Sequence, residues 1–282
     1  MNRAPRNRNH IEEAMMKPAI PALLAALLPL ALSLPATAAE KPDPSITHDA
    51  RDGIARLYGA GGPDTAFRKV AAAFEKETGI RVIISAGPES TWSKQAQADA
   101  DILWGTAEQD ITAFLQTYAS FSSDDVMPVY IRPAIIAVQE GNPKGIHGFD
   151  DLLASGTRIV VTEGAGVVNT SGTGVWEDVA GRLGQLDDVK AFRKNIVAFG
   201  KGSGAAYKAF VAQDADAWIT WPDWTVTHAD TLDLVPLGEA RTIWRDVNVV
   251  LAPDADPEAR QFVDFLTGEQ AARIMKTEGW VR

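Results

Sequence analysis

The sequence predicts an α/β fold with mostly parallel strands buried on both faces. Three observations carry that expectation. Short apolar runs bounded by Gly, Pro or Asp recur along the chain. Segments with a period near 3.6 separate them. Several runs also end in a glycine- or hydroxyl-rich loop that opens the next helix, the order expected of strands alternating with helices.

The expected strands are IARLYGA (54–60), RVIISAG (81–87), ADILWG (100–105), RPAIIAVQE (132–140), TRIVVTEG (157–164), NIVAF (195–199), DAWITW (216–221) and VNVVLA (247–252). After the first of these, Phe67, Val70 and Phe74 repeat on one helical face. The last segment, LTGEQAARIMKTEGWVR, reads as a helix with Ala271, Ile274 and Met275 inward and a stop at Gly279.

Residues 1–38 stand apart from the fold. Lys17 precedes an apolar run from Ile20 to Leu34, and small residues Ala36-Thr37-Ala38 close it. That is the pattern of a secretory signal peptide, too short and wrongly flanked for a membrane span. Met15 and Met16 are alternative starts to Met1. Residues 39–53 are polar and Pro-containing and read as a flexible linker. The chain is therefore expected in the periplasm.

Net charge is −10 over 282 residues, and the leader holds more basic than acidic residues, so the remainder is more acidic still. Such a chain is repelled by phosphate backbones, which excludes non-specific nucleic-acid binding. An anion site here has to be local, built from aimed dipoles. There is no cysteine, which excludes disulfides, thiolate catalysis and Cys-zinc sites. No cofactor or metal is expected: H-E-x-x-H is absent, and no carboxylate spacing proposes a metal site.

Five loops follow expected strands: GAGGPDT (59–65), AGPESTWSKQ (86–95), EGAGVVNTSGTG (163–174), GKGSGAA (200–206) and TWPDW (220–224). In open α/β sheets, ligands sit outside the carboxyl ends of strands. Helix N-termini there present free N–H groups and a positive dipole end, which suits an anion. Taken singly, each loop is explained by helix capping, with Asp64, Ser171 or Thr173, and Ser203 as the caps. Runs of glycine go beyond what capping needs, so the set favours a ligand site. Trp218 is assigned to the core. Trp221 is assigned to the ligand, as a neutral indole donor to an oxyanion.

Enzyme signatures are weaker. Ser171 and Ser203 lack the G-x-S-x-G frame of a nucleophile elbow. His48, His147 and His228 are the histidines beyond the leader, and none is placed as a base for either serine. Gly59 to Asp64 is not G-x-G-x-x-G, and Gly200-Lys201-Gly202 lacks the hydroxyl residue of a P-loop.

NTSGTGVWEDVAGRLG (169–184) resembles the T-S-G-x-G helix start of periplasmic sulfate-binding proteins, and VQEGNPKGIHGFDDLL (138–153) and DAWITW resemble further segments of theirs. LYGAGGP, DILWGTAEQ, RIVVTEGAGVVNTSGTGVWEDVAGRLG and DAWITWPDW resemble the accessory colonization factor C family, a branch of the sulfate- and molybdate-binding type II periplasmic proteins. The resemblance runs from about Leu57 to Arg282.

What the resemblance implies is a two-lobed type II periplasmic-binding-protein fold with two interlobe crossings. Lobe one is residues 54–131 plus 244–282, and lobe two is residues 132–243. The implied function is capture of a small oxyanion or organic anion, sulfate or a sulfate ester, for an ABC permease or a methyl-accepting chemoreceptor, by a monomer. The implied ligand residues are Ser171, Gly172, Thr173, Gly204, Ala205 and Trp221 in lobe two, with Gly61, Gly62, Ser90 and Thr91 in lobe one. The Ser90 loop is longer than the sulfate pattern and contains Trp92, which leaves room for a larger ligand. Arg132 and Arg245 are expected near the hinge floor. Each is either a clamp on the anion or a salt-bridge partner of Asp64, Glu163, Asp223 or Asp246. Two other readings stay open: a hydrolase or transferase with Ser171 as nucleophile, and a colonization or sensory protein without a transport role.

Overall fold

The computed structural model describes residues 41–106, 111, 115–164 and 172–282. The expected signal peptide lies outside the described residues. Among those described, no helix is long and apolar enough to cross a membrane.

Ten strands form two five-stranded sheets. They are β1 (Ala55–Gly59), β2 (Val82–Ala86), β3 (Ile102–Thr106), β4 (Met127–Pro133), β5 (Ile135–Gln139), β6 (Ile159–Glu163), β7 (Ile196–Lys201), β8 (Ala217–Thr220), β9 (Leu232–Pro236) and β10 (Trp244–Leu251). The first sheet has the order β2-β1-β3-β10-β4 and the second β7-β6-β8-β5-β9. Eight α-helices are described: α1 (Asp64–Thr78), α2 (Ser93–Asp99), α3 (Val175–Gly181), α4 (Leu186–Asn195), α5 (Ser203–Ala212), α6 (Pro222–Thr227), α7 (Pro257–Leu266) and α8 (Glu269–Thr277).

Each sheet is parallel in one half and antiparallel in the other. β1 runs parallel to β2 and β3, while β10 runs antiparallel to β3 and β4. β6 runs parallel to β7 and β8, while β5 runs antiparallel to β8 and β9. The expected parallel order thus holds for the half of each sheet built by strand–helix–strand units. A strand arriving from the other lobe enters its sheet from the opposite end, so β5 and β10 run against their neighbours.

The chain leaves the first sheet at Pro133 and enters the second at Ile135, with Ala134 between. The return runs from Pro236 to Trp244. Ala134 N–H donates to Ile243 C=O at 2.7 Å, which ties the two crossings together. The single expected run 132–140 therefore spans parts of two strands in two sheets. Most of β4 and all of β9 fall outside the expected strands. Both are edge strands carrying proline, MPVYIRP and LDLVP, and proline weakens the strand pattern while being tolerated at an edge.

Side chains alternate between two buried faces in the second sheet. Ile136 and Val138 pack with Phe149, Trp176 and Phe192. Ile135 and Ala137 pack with Phe210 and Trp218 on the other side. The first sheet buries Leu57, Trp104 and Val249 among Phe67, Phe74 and Phe262. Each fully buried side chain of this size contributes about 1.5–3 kcal/mol relative to exposure.

Some loop glycines serve packing. A Cβ on Gly59 would lie 2.4 Å from Trp104, and one on Gly200 2.3 Å from the backbone of Ala206. The segment read as a flexible linker, 39–53, bonds to the first lobe from Asp43 onward. Asp49 N–H reaches Ala98 C=O at 2.7 Å, and Gly53 N–H reaches Asp256 Oδ2 at 2.5 Å.

Candidate functional site

The loop after β1 turns through Gly61 and Gly62, with Asp64 N–H donating to Gly61 C=O at 3.2 Å. The helix then starts at Asp64 itself, and no side chain caps it. Asp64 is thus a first-turn residue rather than the expected cap. Its carboxylate complements the helix N-terminus and pairs with Arg68 Nε at 2.8 Å. Burial raises its pKa and the Arg68 charge opposes the rise. Gly61 is exposed and Gly62 half-buried. A Cβ on Gly62 would lie 3.2 Å from Thr106 Cγ2 and 3.3 Å from Arg132 Nη2. Glycine there lets the loop approach this arginine.

Arg132, near the end of β4, is 1% exposed. Its Nη1 donates to Asp223 Oδ1 at 2.7 Å, and its Cζ lies 4.5 Å from the Trp221 ring centroid and 4.4 Å from that of Trp280. A buried guanidinium is tolerable only with such partners: a carboxylate for its charge and aromatic faces for its plane. Asp223 is held the other way, because burial raises its pKa and Arg132 opposes the rise. The expected pairing with Asp223 is therefore present. Arg245 takes a partner outside the expected set, pairing with Asp178 in α3.

Trp221 precedes α6, whose first residue is Pro222. It is fully buried, as is Trp280. Among the described residues, neither indole N–H has a hydrogen-bond partner, and neither has the buried Thr106 hydroxyl. Trp218 is in the core as expected, its indole N–H donating to Thr162 Oγ1 at 3.2 Å.

In the loop after β6, Ser171 lies outside the described residues. Gly172 is buried against Thr162, where a Cβ would come within 3.3 Å. The cap of α3 is Gly174, at φ 76°, rather than a hydroxyl side chain, because the backbone there takes the left-handed conformation that glycine adopts freely. Thr173 lines a cavity of about 420 Å³ with Glu163, Trp176, Glu177 and Lys201. Burial raises the pKa of Glu177, and the nearby Asp178 and Glu163 carboxylates push it the same way. Two carboxylates against one lysine make this cavity a poor seat for an anion.

Gly204 and Ala205 are exposed in the first turn of α5, which is capped by Gly202 rather than by the expected Ser203 side chain. Ser90 and Thr91 are exposed in the 3-10 turn Glu89–Thr91. There the Thr91 hydroxyl donates to Pro88 C=O at 2.7 Å. Trp92 supports that turn from inside, donating to Gly87 C=O at 3.1 Å and stacking on Tyr118.

The structure thus brings Gly62, Arg132 and Trp221 together, with Gly172 and Thr173 on a separate wall beside Thr162. Sequence reasoning missed Trp280, which joins the arginine only through the tertiary fold, and Thr106, whose methyl group faces Gly62. Among the described residues, no group of three His, Asp or Glu is placed to hold a metal.

A family model described as bacterial extracellular solute-binding protein matches residues 55–281. The crystal structure of Peb3 from Campylobacter jejuni is 41% identical, with a TM-score of 0.73, covering 81% of this chain and 99% of that one. PEB3 bound to L-phospholactate gives a TM-score of 0.74 at 41% identity over the same shares. The sulfate-binding protein SubI from Mycobacterium tuberculosis is 19% identical, with a TM-score of 0.64, covering 81% and 86%, a likeness of fold alone. A comparison with curated protein sequences finds no match.

Proposed function

Because this chain belongs to the bacterial extracellular solute-binding proteins, we propose that it captures a small oxyanion or anionic organic molecule between its two lobes. It does so after export to the periplasm, with residues 1–38 as the signal peptide. The closed form is read by an ABC permease or a chemoreceptor, and no bond is made or broken.

The observation that carries this reading is the cluster where the lobes meet. Gly62 of the β1 loop, Arg132 at the first crossing and Trp221 before α6 converge there from different elements. A guanidinium and indole N–H groups only donate, so they select acceptor atoms such as the oxygens of sulfate, phosphoryl or carboxylate groups. PEB3 holding L-phospholactate, at 41% identity, supports an organic anion carrying such groups. In this reading the further donors are Gly61, Ser90, Thr91, Ser171, Gly172, Gly204 and Ala205, with Thr173 set aside because its cavity is acidic. They add backbone N–H and hydroxyl donors as the lobes close.

The test is a thermal-shift panel of sulfate, molybdate, phosphate, L-phospholactate and small carboxylates. A ligand at about a hundredfold over its Kd adds about 2.7 kcal/mol, a rise of roughly 5–10 °C for a protein of this size. A flat response to every oxyanion and carboxylate overturns the reading.

A further inference from the structure

We infer that Trp280, two residues before Arg282, is a second indole donor to the anion, so this last segment of the fold completes the binding site. This rests on the anion-capture reading and adds to it a residue from a part of the chain far from every glycine-rich loop.

The placement of Trp280 is built by four contacts. Ile131 and Val281 form an antiparallel bridge, each N–H donating to the other's C=O at 2.8 Å. In that register Arg132 stands opposite Trp280. Gly279 has φ 83°, and a Cβ on it would lie 2.4 Å from Pro222 Cβ, so glycine lets the tail lie against the start of α6 beside Trp221. Glu278, 3% exposed, receives Lys69 Nζ at 2.5 Å, which ties the tail to α1. Trp280 N–H donates to Met275 C=O at 3.0 Å.

The result is a guanidinium over two indoles, one on each lobe. Both indole N–H groups and the Thr106 hydroxyl are buried there without a partner among the described residues. An indole N–H can only donate, and leaving one buried and unmade is unfavourable. One such group is tolerated in many folds. Two indoles on the same arginine, both with the N–H buried and unmade, mark a place made for acceptor oxygens, and Thr106, whose hydroxyl is also unpartnered, neighbours the same Gly62 loop through its methyl group. Trp221 and Trp280 are closed off from water in this arrangement, so the anion reaches them as the lobes part at the two crossings.

The test is isothermal titration of the full chain with L-phospholactate and with sulfate, comparing wild type with W280F, which keeps a ring on Arg132 and removes the N–H. The expected result is at least tenfold weaker binding by folded W280F, over and above any fall in the ligand-free melting midpoint that the smaller buried ring causes. A purely structural Trp280 would lower the midpoint and leave the affinity of the folded fraction alone. Wild-type binding matched within twofold by W280F overturns this inference and leaves anion capture standing. Wild type that binds no member of the oxyanion and carboxylate panel overturns both; where another member binds instead of these two, it replaces them in the comparison with W280F. T106V and the indole signals of 15N-tryptophan-labelled wild type serve if W280F does not fold. Unchanged affinity in T106V, together with no indole signal moved by the probe, also sinks the assignment.

Discussion

Arg132 is the residue on which most of the chemistry converges, and its removal is informative. Arg132→Ala leaves the half-buried Asp223 carboxylate without its cation, a destabilisation below the about 3–5 kcal/mol of a fully buried pair. Urea unfolding reads this as a lower midpoint. Arg132→Lys restores little, because an ammonium cannot lie flat over two indoles while also reaching the carboxylate. Asp101, fully buried just before β3, the central strand of the first sheet, gives a second expectation at this scale. It accepts the backbone N–H groups of Arg56 at 2.8 Å and Asp256 at 2.9 Å. Burial nonetheless pushes its pKa up to about 6, helped by the Asp256 and Asp52 charges. An unfolded Asp titrates near 3.9. Between about pH 4 and 6 the folded state therefore holds the extra proton, and stability falls as pH rises through that window. Above it the loss is complete. Urea midpoints measured across about pH 4 to 7 should decline through this window, and the decline should be smaller in Asp101→Asn. A decline of equal size in the variant would assign it to another group.

At the level of elements, the strand-to-helix joints set the shape of each loop. β7 meets α5 so closely that Gly200 has the Ala206 backbone where a Cβ would go. Gly200→Ala must push α5 off the sheet or bend β7, and overpacking of this kind costs about 1–3 kcal/mol. The change should lower the melting midpoint and shift the Gly204–Ala205 turn, which a crystal structure of the variant would show. Gly59 makes the same kind of joint against Trp104. At Gly59 and Gly200, part of the glycine richness that reads in the sequence as a ligand cradle is therefore joint packing, whereas Gly61, Gly174 and Gly204 face open space. The capping expectations fail for a related reason. Gly174 and Gly202 take the cap positions of α3 and α5, and the hydroxyl residues beside them are left for other contacts.

For the whole molecule, the two crossings are the natural place for relative motion. They are short, and one hydrogen bond, Ala134 N–H to Ile243 C=O, joins them. Arg132 and its aromatic neighbours sit beside that joint and draw on both lobes. A ligand held there should favour the closed form. We expect any oxyanion that raises the melting temperature also to reduce the radius of gyration in solution scattering. An unchanged radius with clear binding would mean that the lobes are already closed without ligand.

By itself the sequence determined the alternation of strands and helices, the inward faces of α1 and α8, the burial of Trp218 and the family. These are local or periodic properties, and each is written in contiguous residues such as DAWITW or NTSGTGVW. It also placed Arg132 at a crossing and named Asp223 among its partners. Only the tertiary structure decided the rest. The edge strands β4 and β9 were hidden because proline breaks the strand pattern while the sheet supplies the pairing. The antiparallel halves follow from the direction in which a returning chain enters a sheet, which no local pattern encodes. Trp280 reaches Arg132 across 148 positions of sequence because Val281 bridges Ile131, and a contact made by that pairing leaves no periodic trace.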